Sequence, residues 1–190
     1  MAEPLGTTPS QTVGPFFGFA LPYEAGPLLV PLTDPDTIRI EGIVRDGKGD
    51  PVPDALIEIW QANRSGRYAH PNDDRDDLPL EEGFVGFGRC GTDAEGRYWF
   101  ATVKPGRVPG PDGTMQAPHI AVNVLARGLL RQLPTRIYFP DEAEANAADP
   151  VLASIDDEAA RETLIAREDG GVLRFDIRLQ GDGETVFFDV

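Results

Sequence analysis

Ile38-Arg39-Ile40-Glu41-Gly42-Ile43-Val44 and Ala55-Leu56-Ile57-Glu58-Ile59-Trp60 decide the fold class. Both alternate apolar with polar positions, the period of a β-strand that buries one face and wets the other. In the second run Leu56 and Glu58 fall on the face opposite Ile57 and Ile59. The segment from Asp46-Gly47 to Asp50-Pro51 between them has the composition of a turn. Outward from this pair, Gly96-Arg97-Tyr98-Trp99-Phe100-Ala101-Thr102 reads as a strand by its aromatic and β-branched content. His119 to Leu125 and Arg136 to Phe139 alternate as well. The C-terminus predicts two more strands, 172–179 and 185–190, joined across the hairpin-type turn Gln180-Gly181-Asp182-Gly183-Glu184. Strands this short and this close together predict an all-β fold, an antiparallel β-sandwich.

One helical excursion near 149–167 interrupts the pattern. Asp149 can cap, Pro150 suits the first helical position, and Val151, Leu152 and Ile155 recur at helical spacing, with Ala159, Ala160, Thr163, Leu164 and Ala166 continuing it. Residues 141–149 read as a polar connector. Residues 1–37 hold seven prolines and no sustained periodicity, so an extended N-terminal arm (1–37) is expected to precede a sandwich domain (38–190). Phe16, Phe17 and Phe19 are the arm's large apolar cluster, which predicts docking on its own sandwich or on a neighbour.

With 190 residues and 41% of them apolar, the chain can bury the core of one well-packed domain. Its 21 glycines and 18 prolines suit a turn-rich β architecture. The formal net charge of −15 gives a field that repels phosphate backbones and anionic lipid, so neither nucleic acid nor a membrane is an expected partner. That charge serves solubility, or complements a more basic partner chain. Cys90 is the single cysteine; an intramolecular disulfide and a thiolate zinc cluster are excluded, and its apolar surroundings predict a buried small hydrophobe. Met1 to Gln11 lacks the basic-then-apolar order of a signal peptide, and no apolar run reaches membrane-spanning length. A cytoplasmic location is the default expectation.

Several motifs then coincide. Gly42-x-Val44, Pro53-x-Ala55, Glu58-Ile59-Trp60-Gln61-Ala62 and Gly66-x-Tyr68 are followed by Gly96-x-Tyr98-x-Phe100, Lys104-Pro105-Gly106 and Pro118-His119-Ile120. In combination, and with the arm Thr8-Pro9-Ser10-Gln11-Thr12-Val13-Gly14-Pro15-Phe16-Phe17, they resemble the intradiol ring-cleavage dioxygenases over essentially the whole length. The resemblance implies Fe(III) held by two tyrosinates, hard anionic donors that stabilise it, and two imidazoles that complete the site while leaving room for a chelating catecholate attacked by O2. Tyr68 matches the first tyrosine and His119 the first histidine. The second tyrosine position falls on Val108 and the second histidine on Ala121, neither of which can bind a metal. Gln116 stands where the resemblance places a charge-stabilising arginine, and Arg136 where it places a polar residue lining the pocket.

Tyr68, Val108, Gln116, His119, Ala121 and Arg136 therefore read as a vestigial site, with no complete catalytic set and no metal expected in this chain. The arm narrows the likeness to a two-chain enzyme, in which a homologous beta chain carries the Fe(III) and this chain lends the residues at Thr12, Gly14 and Pro15 to the wall of the substrate pocket. A small aromatic substrate and O2 are the implied reactants. Arg136 would replace the lost cation electrostatically or bind an anion; an exposed strand arginine is the alternative. Gly14-Pro15 taken alone is an ordinary turn. His70, in an aspartate-rich loop, reads as an exposed histidine without function, although it is the other imidazole able to approach a metal. Tyr98 and Tyr138 read as packing residues, and so do Trp60 and Trp99. Two other readings stay open: a self-sufficient homo-oligomeric dioxygenase with a reduced ligand set, and a non-enzymatic β-sandwich binding module.

Overall fold

The computed structural model describes residue 9 and residues 11–189, and the calls that fall on residues 1–8, 10 and 190 lie outside that range. Two sheets face each other. The first contains β1 (Ile38–Arg45), β4 (Arg97–Thr102), β7 (Arg167–Asp169), β8 (Val172–Arg174) and β9 (Ile177–Arg178). The second contains β2 (Leu56–Trp60), β3 (Phe87–Gly91), β5 (His119–Leu125) and β6 (Leu133–Tyr138), in the order β3-β2-β5-β6 with every neighbour antiparallel. The sandwich expected from the alternation is present. It is mixed in one place: β8 and β9 run parallel to β1, while β4 pairs with it antiparallel.

Alternation sorts side chains as the pleat demands. Ile40 and Val44 of β1, Tyr98 and Phe100 of β4, and Phe175 and Ile177 point inward from the first sheet. Ile57, Ile59, Ile120, Val122, Val124 and Ile137 meet them from the second. Cys90 is buried in the same cluster, as expected. Tyr98 is 2% exposed and donates its hydroxyl to the Phe175 carbonyl at 2.6 Å, which satisfies the polar end of a core aromatic.

Several expectations are corrected. The helical excursion is not one helix: among the described residues it breaks into α3 (Pro150–Ala153) and α4 (Glu158–Glu162), and a separate short α2 (Ala143–Ala147) precedes it. Asp149 caps α3 as anticipated, accepting from the Val151 and Leu152 amides, but Asp157 caps a second start eight residues on, accepting from Ala159. Two caps this close divide the segment. The polar connector 141–149 includes α2, where alanines carry a helical turn. Residues 167–169, expected to end the helix, form β7 and pair with β8.

The predicted strand 172–179 is interrupted between β8 and β9, at Phe175–Asp176, where Asp176 turns its carboxylate onto the Ile43 amide. Residues 185–189 are not a strand. The Thr185 hydroxyl accepts from the Arg178 amide, so a side chain takes the place of a ladder partner, and the Phe188 amide then turns to the Pro134 carbonyl.

The arm is not wholly extended. It contains α1 (Phe17–Ala20), whose Phe17 is 5% exposed while Phe16 and Phe19 are 66% and 77% exposed. Downstream, Leu29 donates to the Ala101 carbonyl and Ala101 to the Pro27 carbonyl, stitching the arm to the edge of β4. Arg89 on β3 donates to the Leu21 carbonyl and pairs with Glu58, which holds the arm against the second sheet.

Candidate functional site

The residues of the expected vestigial site lie on or beside the outer face of the second sheet. Register explains how. Trp60 opposes Ala121, Ala121 opposes Arg136, and His119 opposes Tyr138, and directly opposed residues share a face. Trp60, Ala121 and Arg136 thus form one row across three strands, on the side away from the core. His119 and Tyr138 form the next row.

Two loops bring the remaining residues to this face. The Asn63 carbonyl accepts from both the Gly66 and Gly106 amides, which clamps the 63–68 loop against the 104–108 segment. Gly66 has φ +83°, and a Cβ on it would stand 2.2 Å from the Arg107 carbonyl oxygen, so this approach admits no side chain. Tyr68 and Val108 come together as a result, lining a cavity of about 540 Å³ with Trp60, His70 and Arg75. The Gln116 amide donates to the Val108 carbonyl, which returns the chain to β5 and sets Gln116 beside Arg136.

Trp60 separates this cavity from a second one of about 490 Å³, lined by Trp60, Phe87, Ala121, Asn123, Arg136 and Phe188 among others. The Trp60 ring stacks on Tyr68 at 5.8 Å and 10°. Reading Trp60 and Trp99 as core residues is corrected: both are half-buried and point outward. The alternation already said so, since Trp60 shares the face of Glu58 and Trp99 lies between the inward Tyr98 and Phe100. His70 is exposed, edge-on to Trp60 at 6.4 Å.

A polar chain runs beneath the row. Arg136 Nη1 donates to Gln116 Oε1 at 2.6 Å and to the Tyr138 hydroxyl at 3.3 Å. That hydroxyl donates to Asp149 Oδ1 at 3.1 Å, and Asp149 Oδ2 accepts from the Ala117 amide at 2.8 Å. Asp149 is fully buried and accepts two further amides as the α3 cap, so its charge is met by fixed N–H groups. Its place in the site, and that of Tyr138, was not foreseen: one reads as a helix cap and the other as packing, and each is that too.

His119 is 6% exposed, and its Nδ1 lies 2.8 Å from the Ala117 carbonyl. A carbonyl only accepts, so Nδ1 carries the hydrogen and Nε2 keeps the lone pair. Burial, and then the Arg136 charge, push its pKa down to about 4, so the ring is neutral near pH 7. Burial raises the Tyr68 phenol above its ordinary range, with Arg136 and Arg75 opposing in part. Tyr138 is raised further, again chiefly by burial. The Asp73 carboxylate is held well below its usual range by Arg75, and it accepts the Tyr68 amide, which pins the loop that presents the ring.

A four-donor ferric site does not fit these residues. Val108 and Ala121 offer no lone pair, and the guanidinium of Arg136 acts on both remaining donors as a fixed positive charge. Among the described residues no cluster of three or more His, Cys, Asp or Glu side chains is placed to hold a metal. On the arm, Thr12 and Pro15 are exposed and Gly14 is half-buried with φ +84°. Among the described residues, its chain neighbours aside, nothing lies within 4 Å of where a Gly14 Cβ would stand, so backbone conformation, not packing among them, calls for glycine there.

Comparison with known proteins places these features. A family model described as Dioxygenase matches residues 13–181. The protocatechuate 3,4-dioxygenase alpha chain of Burkholderia cepacia is 44% identical over 203 aligned positions, covering 98% of each chain. The beta chain from the same organism is 41% identical over 160 positions, covering 79% of this chain and 67% of that one. Among solved structures, the dioxygenase domain of a carbohydrate-binding fusion protein from Streptomyces sp. SirexAA-E superposes with a TM-score of 0.56 at 27% identity, covering 93% and 99% of the two chains. Among the described residues no helix is long and apolar enough to cross a membrane.

Proposed function

The chain belongs to the intradiol ring-cleavage dioxygenases, and from that premise we propose that it is the alpha subunit of a protocatechuate 3,4-dioxygenase. It pairs with a homologous beta chain, which carries the Fe(III), and the complex opens the ring of protocatechuate with O2 to give 3-carboxy-cis,cis-muconate in the β-ketoadipate route. The location is the cytoplasm. This chain binds no metal itself. Its own contribution is the arm: Thr12, Gly14 and Pro15 form part of the partner's pocket wall. What supports that role is the exposure of Thr12 and Pro15, together with a positive-φ Gly14 that has open space where a Cβ would stand.

The observation that carries the reading is the state of the four donor positions at the outer face, Tyr68, Val108, His119 and Ala121. Two of four donor positions lack any donor atom, and a guanidinium stands beside the two that remain. Catalysis by this chain alone would need a metal site that its side chains cannot build. The test is iron content and visible absorbance of the chain purified alone and co-expressed with a beta chain. Iron, tyrosinate colour and oxygen uptake are expected only in the co-purified complex. Stoichiometric iron and colour in the lone chain would return the reading to a self-sufficient enzyme.

A further inference from the structure

We propose that the slot above Ala121, between Trp60 and Arg136, is a binding site in this chain for a small aromatic carboxylate. The register sets its width. Trp60 and Arg136 flank Ala121 on neighbouring strands, so their Cα atoms stand about 10 Å apart, two strand spacings, with only a methyl group rising between them. A flat ring fits such a gap. The cavity over it measures about 490 Å³, ample for a benzoate-sized molecule.

The chemistry of the walls specifies the ligand. Arg136 is half-buried and, among the described residues, has no carboxylate within ion-pair distance, in a chain whose net charge is −15. Its Nη1 is committed to Gln116 and Tyr138, and that bond fixes the guanidinium plane. The edge formed by Nε and Nη2 is left to donate two parallel hydrogen bonds to a carboxylate. The two carboxylates that also line the groove are engaged elsewhere: Glu58 pairs with Arg89 at 2.5 Å and Asp189 with Arg131 at 2.7 Å. Apolar faces complete the slot, with Phe188 5.9 Å from the Arg136 guanidinium and Phe87 on the far wall. A partly desolvated, preoriented cation beside aromatic walls favours a ligand that joins a flat ring to an anion. The site owes nothing to a metal.

The experiment uses the full chain in a Trp99→Phe background, which leaves Trp60 as its only indole. Benzoate is titrated against Trp60 fluorescence, with phenol, cyclohexanecarboxylate and inorganic phosphate as comparisons. Saturable quenching by benzoate is expected, with each comparison at least tenfold weaker. Arg136→Gln should weaken benzoate at least tenfold, Arg136→Lys should retain part of the affinity, and Ala121→Phe should abolish it by filling the slot. Circular dichroism confirms that each variant is folded, and Ala121→Phe carries the test alone if Arg136→Gln is not. Absence of saturable quenching, benzoate affinity unchanged in the folded variants, or phosphate binding as tightly as benzoate would each overturn the proposal. None of these readings depends on iron or on oxygen uptake, so this proposal and the subunit assignment fail independently.

Discussion

The two faces of the second sheet come from the same four strands, residue by residue in alternation, yet they have opposite characters. The inner face is Ile57, Ile59, Ile120, Val122, Val124 and Ile137, each 2% exposed or less. The outer face carries Trp60, His119, Ala121, Arg136 and Tyr138, of which Arg136 and Tyr138 are joined by a polar chain to Asp149. The pleat lets each face change without the other. A methyl in place of an imidazole, or a guanidinium facing the groove, alters nothing that Ile120 or Ile137 touches. A chain can lose its donors on one face and keep the fold that the other face holds together.

Adjacent residues test that separation most strongly. Ile120→Ala removes a fully buried side chain and should cost about 2–5 kcal/mol, including the cavity left behind. Ala121→Ser, one residue along and on the other face, should change stability by less than about 0.5 kcal/mol. Urea denaturation of both variants decides the matter. Comparable losses would mean that the outer face also carries the fold.

The next effect in size lies where the outer face is tied to α3. Asp149→Ala would strip the acceptor from the Ala117, Val151 and Leu152 amides and from the Tyr138 hydroxyl, all at a fully buried position. A loss of about 2–4 kcal/mol follows from several unmet donors and a lost cap. Asp149→Asn, which keeps one acceptor oxygen, should recover part of it. If thermal unfolding shows Asp149→Ala within about 0.5 kcal/mol of the wild type, the polar chain is ornament and not structure.

Most of the inner face was legible because alternation is a strong local signal and burial follows it directly. The failures are physical too. Trp60 and Trp99 read as core because they sit inside alternating strands, although the phase of that alternation, sharing a face with Glu58 and lying between Tyr98 and Phe100, puts them outside. The helical segment read as one helix because the second cap, Asp157, resembles any solvated aspartate until its backbone geometry is known. The strand expected at 185–190 had the right composition, but the Thr185 side chain competes for the ladder. In the site, single positions were legible while their assembly was not. No local pattern says that Gln116 bonds Arg136, or that Asp149 reaches back 32 residues to the Ala117 amide.

pH offers a smaller effect confined to the outer face. The folded pKa of His119 is lowered to about 4 from an ordinary 6.5, so between those values the unfolded chain binds the extra proton and the folded chain does not. Stability from this residue is present above pH 6.5 and is lost as pH falls towards 4. Going from pH 7 to pH 5 should remove about 2 kcal/mol through His119, an amount absent from His119→Gln. Urea midpoints of both proteins at the two pH values give the difference. Parallel curves would mean that the ring is not held neutral by burial.

The smallest expected effect on stability belongs to the tip of the arm, and there the comparison reverses. Phe17 is buried and the stitches to β4 begin at Pro27, so a chain lacking residues 1–16 keeps both anchors. Its unfolding free energy should stay within about 0.5 kcal/mol of the full chain, because the described residues removed are exposed or half-buried. Assembled with a beta chain, the same truncation should raise KM for protocatechuate several-fold, since Thr12, Gly14 and Pro15 are proposed to wall the partner's pocket. An inner-face substitution lowers stability and leaves that KM unchanged wherever the complex is folded. Equal KM for truncated and full-length complexes would remove the arm from the pocket. A truncated chain that unfolds would instead place the arm with the core, as one more part of what holds the sandwich together.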